Sequence, residues 1–314
     1  MWKNLDECSF LRDLQEAQIP DLTQWMHGEG GAYRIERYSI PMPAGMHYNY
    51  AAKQVDDNIL NILGAVADEQ QIKLKYEMLL NGDEINTGEN RKVLHHLTRG
   101  QLGGDVIYNG KNMRTFYLEQ QEKVRDFSEA VRNGSITAPS GKPFTDVVQI
   151  GIGGSDLGPR ALYLALKAWG ERHNKLKLRA HFISNVDPDD AAAVLSALDL
   201  STTLFILVSK SGTTLETLTN ERFVGQFLQE AGLNPAKQMV AVTSETSPLA
   251  NNPSYLASFY MDDFIGGRYS STSACGGAVL SLALGADTFD ALLAGAAAAD
   301  KQALNPGMSR NAAL

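Results

Sequence analysis

The chain contains little cysteine: only Cys8 and Cys275 occur among its 314 residues. Two thiols so far apart in sequence cannot form the disulfide framework of a small secreted domain, and they suit a reducing compartment. The chain also lacks a block of basic residues, and its formal net charge is -8. Because nucleic-acid binding requires clustered positive charge, this balance argues against nucleic acid as a partner.

Long apolar runs are absent as well. The longest stretch of apolar and small residues, 276–286, is too short to span a membrane. The acidic N-terminus leads into no apolar core, so it does not have the pattern of a signal peptide. Together with the cysteine content, these absences predict a cytoplasmic protein with no membrane partner. Apolar residues make up 44% of the chain and charged residues 20%, which is typical of globular domains.

Strand-like runs alternate with helical patterns after Pro143. The predicted strands span residues 146–150, 181–184, 204–208, 238–243 and 258–264. The predicted helices between them span 157–169 and 215–230, and a further helix starts at Pro188 with Asp187 as its cap. Strands that alternate with helices in this way indicate an α/β fold with a doubly wound parallel sheet. Such sheets bind ligands beyond the carboxyl ends of their strands.

The N-terminal part of the chain has a different pattern. Helical apolar spacing is present at 58–63 and 72–80, and Thr87 is placed to cap a helix over 88–97. The patterns over 58–63, 72–80 and 88–97 indicate a helical N-terminal arm in front of the sheet. Near the other end of the chain, residues 287–304 predict an alanine-rich helix.

The segment Ser209-Lys210-Ser211-Gly212-Thr213-Thr214 joins the third predicted strand to its helix. A helix N-terminus offers free N–H donors and about half a positive charge, which suits a phosphate. Gly212 can adopt a positive φ, which lets successive N–H groups converge on an anion. A loop that only caps its own helix needs one hydroxyl, not four and a lysine. The segment therefore favours a phosphate site over a plain capping turn.

A glycine-rich turn, 151–159, follows the first predicted strand. It resembles a dinucleotide-binding turn, but Asp156 stands where the G-x-G-x-x-G pattern requires glycine, and no acidic residue follows about 20 positions later at a strand end. Its glycines still allow backbone N–H groups to approach a small ligand, and Ser155 adds a hydroxyl. The alternative is a tight strand-to-helix turn that binds nothing.

The third segment, Gly266-Gly267-Arg268, follows the last predicted strand. A guanidinium is always charged and offers a rigid set of donors that can stabilise a developing oxyanion. The alternative is a surface arginine that pairs with Asp262 or Asp263. Together the three segments predict a pocket for a phosphorylated polyol or sugar, without a carboxylate or histidine that would move a proton.

These three segments and 86–95, in this order, resemble the phosphoglucose isomerase family over nearly the whole chain. The resemblance implies sugar-isomerase (SIS) sheet domains, a homodimer, and a reaction of glycolysis and gluconeogenesis. That reaction interconverts glucose 6-phosphate and fructose 6-phosphate through a cis-enediolate, with neither metal nor organic cofactor. Arg268 matches the arginine that faces the enediolate. The residues implied to bind the substrate are Gly154, Ser155, Ser209, Lys210, Ser211, Gly212, Thr213 and Thr214.

The family's base glutamate, ring-opening histidine and late lysine have no matching stretch here. We therefore expect an N-terminal arm over 1–115, an SIS domain over 116–285, and the start of a second, truncated SIS domain over 286–314. Such a chain alone is expected to bind phosphate weakly and to catalyse little, because it lacks a general base. A non-catalytic phosphosugar-binding module is the alternative function.

Other polar residues are given structural roles. His95 and His96 are adjacent, so they point in different directions and imply no metal pair. We expect His181 to be a buried strand residue, with a catalytic role as the alternative. We expect Arg91 to be structural, with a position in the active site as the alternative. Glu216 is expected to complement the dipole of its helix or to orient its neighbours, with a role as a base as the alternative.

Overall fold

The computed structural model describes residues 3–100 and 102–314. The described residues divide into two compact units: those of one lie within residues 1–85, 101–104 and 295–314, and those of the other lie within residues 86–100 and 105–294. The division of the chain into an arm and two SIS domains stays a prediction. No helix of the described ranges is long and apolar enough to cross a membrane.

The helices and strands are numbered in chain order. The helices are α1 (Ser9–Glu16), α2 (Leu22–Trp25), α3 (Gly28–Arg37), α4 (Asp57–Glu69), α5 (Ile72–Asn81), α6 (Met113–Arg132), α7 (Gly154–Arg172), α8 (Pro188–Ser196), α9 (Leu215–Glu230), α10 (Ala274–Leu284) and α11 (Ala286–Gln302). The strands are β1 (Ser39–Pro41), β2 (His47–Asn49), β3 (Ile107–Tyr108), β4 (Lys111–Asn112), β5 (Asp146–Ile150), β6 (Arg179–Ile183), β7 (Thr203–Val208), β8 (Met239–Thr243) and β9 (Ala257–Tyr260).

The first unit is mainly helical, with the antiparallel hairpin β1–β2. The helical spacing at 58–63 and 72–80 is confirmed, because these residues lie within α4 and α5. Asp56 caps α4 by accepting a hydrogen bond from the N–H of Ile59 at 2.8 Å. The side chain of Arg34 is buried and donates hydrogen bonds to the carbonyls of Ala51, Lys53 and Val55.

The second unit is built on a five-stranded parallel sheet with the strand order β6-β5-β7-β8-β9. The predicted strand over 146–150 matches β5, and the predicted helix over 215–230 matches α9. Asp187 caps α8 with Pro188 at the first helical position, as predicted. The strand predicted over 258–264 is too long at its carboxyl end. It stops at Tyr260 because Asp262 accepts a hydrogen bond from the N–H of Phe264 at 2.8 Å and turns the chain.

Alternate residues of the strands face two separate apolar layers. Val147 and Leu204 pack on one side of the sheet with side chains from α6, α7 and α10. Val148 and Phe205 pack on the other side with side chains from α8 and α9. Residues that alternate in this way on a parallel sheet, with helices on both faces, define the doubly wound architecture that the sequence predicts.

The helix predicted over 88–97 is wrong. Residues 86–91 form a turn in which the carbonyl of Asn86 accepts hydrogen bonds from the N–H groups of Glu89 and Arg91. Asn90 adopts a φ of 50°, which is left-handed and incompatible with a continuing helix. Within this stretch the helical residues are those of a short 3₁₀ turn, His95–Thr98.

Candidate functional site

The carboxyl ends of β5 and β7 form the topological switch point of the sheet. These strands are neighbours, but the chain leaves β5 toward β6 on one side and leaves β7 toward β8 on the other. The helices that follow them, α7 and α9, pack on opposite faces of the sheet. Parallel sheets bind ligands in the crevice that this arrangement opens. The 151–154 turn and the 209–214 loop both start at this crevice.

Gly212 shapes the 209–214 loop. It has a φ of 66°, the left-handed conformation that the sequence predicts. Its N–H group donates to the carbonyl of Ser209 at 3.2 Å and to the Ser209 hydroxyl at 3.1 Å. A Cβ at this position would lie 2.6 Å from the Oγ of Ser247. Glycine is therefore required both by the backbone angle and by the close contact.

The four hydroxyls of the loop differ in exposure. Ser209 is buried and donates to the Oγ1 of Thr214 at 3.2 Å, so it stabilises the loop from inside. Ser211 and Thr213 are exposed and bonded to each other at 3.0 Å. Thr214 is half-buried at the N-cap of α9, yet its side chain caps no N–H group within the described chain. The first turn of α9 thus has no side-chain cap from Thr214, and its donors can serve an oxyanion.

Lys210 connects this loop to the loop over 262–272 that carries Arg268, which is called the Arg268 loop below. Its Nζ lies 3.4 Å from the carbonyl oxygen of Ile265 and 3.4 Å from the Oδ1 of Asp263. The ammonium group is therefore directed away from the loop hydroxyls and toward the neighbouring loop. This contact joins the first and third segments that the sequence singles out.

Arg268 lies on a 3₁₀ helix, Gly267–Thr272, and is exposed to solvent. No ion pair of Arg268 is found among residues 3–100 and 102–314, so the predicted alternative of a pair with Asp262 or Asp263 is not observed. Asp262 instead accepts a hydrogen bond from the hydroxyl of Tyr117 at 2.7 Å. The guanidinium stays available for a ligand.

The contact between Tyr117 and Asp262 anchors the start of the Arg268 loop in the interior. Burial raises the pKa of Asp262, and burial together with this carboxylate raises the pKa of Tyr117 well above its usual range. The tyrosine hydroxyl therefore stays protonated and donates a hydrogen bond to the carboxylate of Asp262. A buried carboxylate without such a donor would cost stability.

The 151–154 turn and the Arg268 loop touch through their backbones. A Cβ placed on Gly154 would lie 2.2 Å from the carbonyl carbon of Gly267 and 2.7 Å from the nitrogen of Arg268. The hydroxyl of Ser270 also lies 3.4 Å from the carbonyl oxygen of Gly154. Only glycine allows this approach, so Gly154 determines the distance between the two loops.

The residues after Gly154 are held by buried polar groups. Ser155 is half-buried, and its carbonyl accepts a hydrogen bond from the Nε2 of Gln149 at 2.6 Å. Asp156, which breaks the dinucleotide pattern, is buried in the first turn of α7 and pairs with Arg160 at 2.8 Å. Burial raises the pKa of Asp156. This acidic side chain is therefore structural.

A cavity of about 430 Å³ opens beside the Arg268 loop. Four basic and two acidic side chains contribute to its lining: Arg91, Lys92, Lys210, Arg268, Glu89 and Asp263. Its wall also includes His95, whose Nε2 accepts a hydrogen bond from the N–H of Gly266 at 2.9 Å. The sequence predicts a structural role for His95, and for Arg91 it predicts a structural role with a position in the active site as the alternative. Their signal was their position in the 86–95 segment that resembles the family.

His181 lies at the opposite edge of the sheet. Its Nε2 is 3.0 Å from the Oδ1 of Asp146, which is also bound by Arg179, so it has the structural role expected for it. Among the described residues no group of three or more His, Cys, Asp or Glu side chains is arranged to hold a metal ion.

Comparisons with known family models, proteins and structures all identify the same family. The model of the family described as "Phosphoglucose isomerase" matches residues 49–314. The glucose-6-phosphate isomerase of Treponema denticola is 61% identical over 318 residues, which cover all of this chain and 60% of the relative. That of Treponema pallidum is 58% identical and is covered to 59%.

A solved structure agrees with these matches. The crystal structure of a glucose-6-phosphate isomerase from Chlamydia trachomatis superposes with a TM-score of 0.85 at 38% identity, over 98% of this chain and 58% of that one. The chain thus spans about 60% of the length of the curated relatives that it matches.

Proposed function

Because the chain belongs to the phosphoglucose isomerase family, we propose that it carries the phosphate-binding part of an enzyme that interconverts glucose 6-phosphate and fructose 6-phosphate. The observation that carries the proposal is the 209–214 loop at the switch point of the sheet, in front of a helix that Thr214 does not cap. A homodimer and a cytoplasmic location belong to the same proposal, since they are expected of the family.

In this proposal the phosphate group lies in front of α9. The N–H groups of its first turn donate to the phosphate, and the exposed hydroxyls of Ser211 and Thr213 and the half-buried hydroxyl of Thr214 surround it. Gly154 and Ser155 approach the sugar phosphate from the neighbouring loop. Binding the phosphate far from the reacting carbons orients C1 and C2 for proton transfer.

Arg268 faces the oxygens of the cis-enediolate. Proton transfer between C1 and C2 places negative charge on an oxygen, and a guanidinium without an internal partner can stabilise that charge. The reaction also requires a general base. Two carboxylates line the cavity, and both have partners: Asp263 is engaged by Lys210 at 3.4 Å and by Arg91 at 3.7 Å. Glu89 accepts a hydrogen bond from the Nδ2 of Asn86 at 3.1 Å. We therefore place the base outside these 314 residues.

The alternative, a phosphosugar-binding module without catalysis, would use the same loop. Family membership does not favour it, because the matching relatives are glucose-6-phosphate isomerases at up to 61% identity. The two functions differ in turnover and not in binding.

The test is an assay of the complete gene product that contains these residues. Conversion of fructose 6-phosphate to glucose 6-phosphate is followed by coupled NADPH formation. We expect turnover by the complete gene product, and phosphosugar binding with little turnover by residues 1–314 alone. Binding without turnover by the complete gene product would support the module instead. Absence of binding in both would contradict the proposed site.

A further inference from the structure

The 3₁₀ turn His95–Thr98 packs against the loop that carries Arg268. The N–H of Leu94 donates to the carbonyl of Phe264 at 3.2 Å, at the start of the loop. The hydroxyl of Thr98 lies 3.2 Å from that of Thr272, at its end. Between these two points, the imidazole of His95 meets the middle of the loop.

His95 contacts the loop on both sides of Arg268. Its Nε2 accepts a hydrogen bond from the backbone N–H of Gly266 at 2.9 Å. Its ring packs edge-on against the ring of Tyr269, with centroids 5.8 Å apart. Both contacts involve residues within two positions of the arginine, so they determine where the Arg268 backbone lies.

The hydrogen bond to Gly266 defines the chemical state of the imidazole. A backbone N–H can only donate, so the Nε2 of His95 must carry a lone pair. The ring is therefore neutral, with its proton on Nδ1. Burial is the largest influence on the pKa of His95 and lowers it, which favours the same neutral form.

We propose that His95 is a positioning residue for Arg268: its neutral imidazole, as the acceptor of the Gly266 N–H, holds the Arg268 loop at the distance that the enediolate requires. This inference rests on the proposed isomerase function. It assigns to His95 an effect on the chemical step and not on phosphate binding, because its hydrogen bond and its ring contact are both made to the Arg268 loop.

The test compares two substitutions in the complete gene product. His95→Leu removes the acceptor, and we expect kcat for fructose 6-phosphate to fall about 10- to 100-fold, the cost of misplacing a catalytic group, with little change in KM. His95→Gln keeps an oxygen close to the position of Nε2, and we expect it to recover most of the lost kcat. His173→Leu is the matched control, because His173 is exposed at the end of α7 and hydrogen-bonds only locally to Trp169.

The outcomes separate the inference from the function on which it rests. If the wild-type protein is active and His95→Leu has wild-type kcat, or if His95→Gln loses as much as His95→Leu, the positioning role is wrong. If the wild-type protein has no isomerase activity, the proposed function fails first and the inference fails with it.

A measurement on the wild-type protein covers the case in which His95→Leu does not fold. Nitrogen NMR of the imidazole should show a protonated Nδ1 and a bare Nε2 at neutral pH, and the amide hydrogen of Gly266 should exchange slowly. A protonated Nε2, or fast exchange at Gly266, would overturn the proposal.

Discussion

Replacing Gly154 with alanine tests the backbone contact between the 151–154 turn and the Arg268 loop. The new Cβ would lie 2.2 Å from both the carbonyl carbon and the carbonyl oxygen of Gly267, and 2.7 Å from the nitrogen of Arg268. All three are backbone atoms, so no side chain can rotate away. Because ordinary contact starts at 3.4 Å, the two loops must separate by roughly 1 Å, and a misplacement of this size costs about 100-fold in rate.

The stability effect is smaller because two terms oppose each other. Forcing a methyl group into a packed contact costs about 1–3 kcal/mol. Alanine in place of glycine in a helix returns up to about 1 kcal/mol, and Gly154 is the first residue of α7. We therefore expect a net loss of about 0–3 kcal/mol in the free energy of unfolding, with a much larger effect on kcat.

The assay is steady-state kinetics of the complete gene product together with thermal unfolding of the same samples. Gly225→Ala is the matched control: it lies within α9, and no described atom is within 4 Å of a Cβ placed there. We expect this control to keep wild-type kcat and to gain stability. A Gly154→Ala protein with wild-type kcat and KM would refute the reasoning, since the loops would then not depend on their close approach.

Three further substitutions test the remaining parts of the site. Arg268→Ala should lower kcat by roughly 100-fold or more with a small change in KM, and near wild-type kinetics would remove its role. Thr214→Ala should raise KM roughly 10-fold, because it removes one hydroxyl from the charged phosphate, and an unchanged KM would contradict the phosphate site. Tyr117→Phe should destabilise the fold by about 1–3 kcal/mol near neutral pH, because it takes the donor from half-buried Asp262. Burial raises the pKa of Asp262, so a contribution to stability that is present below about pH 4 is lost in both proteins as the pH rises through the raised pKa. The Tyr117 hydrogen bond opposes this shift, because it stabilises the ionised carboxylate. The melting temperature of Tyr117→Phe should therefore fall further behind wild type as the pH increases, and an equal difference at all pH values would refute this.

Much of the sheet domain could be predicted from the sequence, because its signals are local. The apolar run over 204–208 lies between hydroxyl-rich and polar segments, so both the strand and the start of α9 follow from composition. The left-handed conformation of Gly212 can be predicted because glycine adopts a positive φ without steric cost. Asp187 and Pro188 similarly mark the start of α8.

The missed features depend on tertiary contacts. The helix predicted over 88–97 has suitable apolar spacing, but the segment instead bonds to the Arg268 loop, from Leu94 to Phe264. The position of His95 against the Arg268 loop follows from that pairing and has no local signature. The position of the Lys210 ammonium group also has no local signature, because the group contacts Ile265 and Asp263 in the loop that follows β9.

The central claim is that a phosphate binds the 209–214 loop at the N-terminus of α9. The most direct measurement is a crystal structure of the complete gene product with bound fructose 6-phosphate. We predict that the phosphorus lies within hydrogen-bonding reach of the first-turn N–H groups of α9 and of the hydroxyls of Ser211, Thr213 and Thr214. A phosphate bound elsewhere, with this loop empty, would contradict the account.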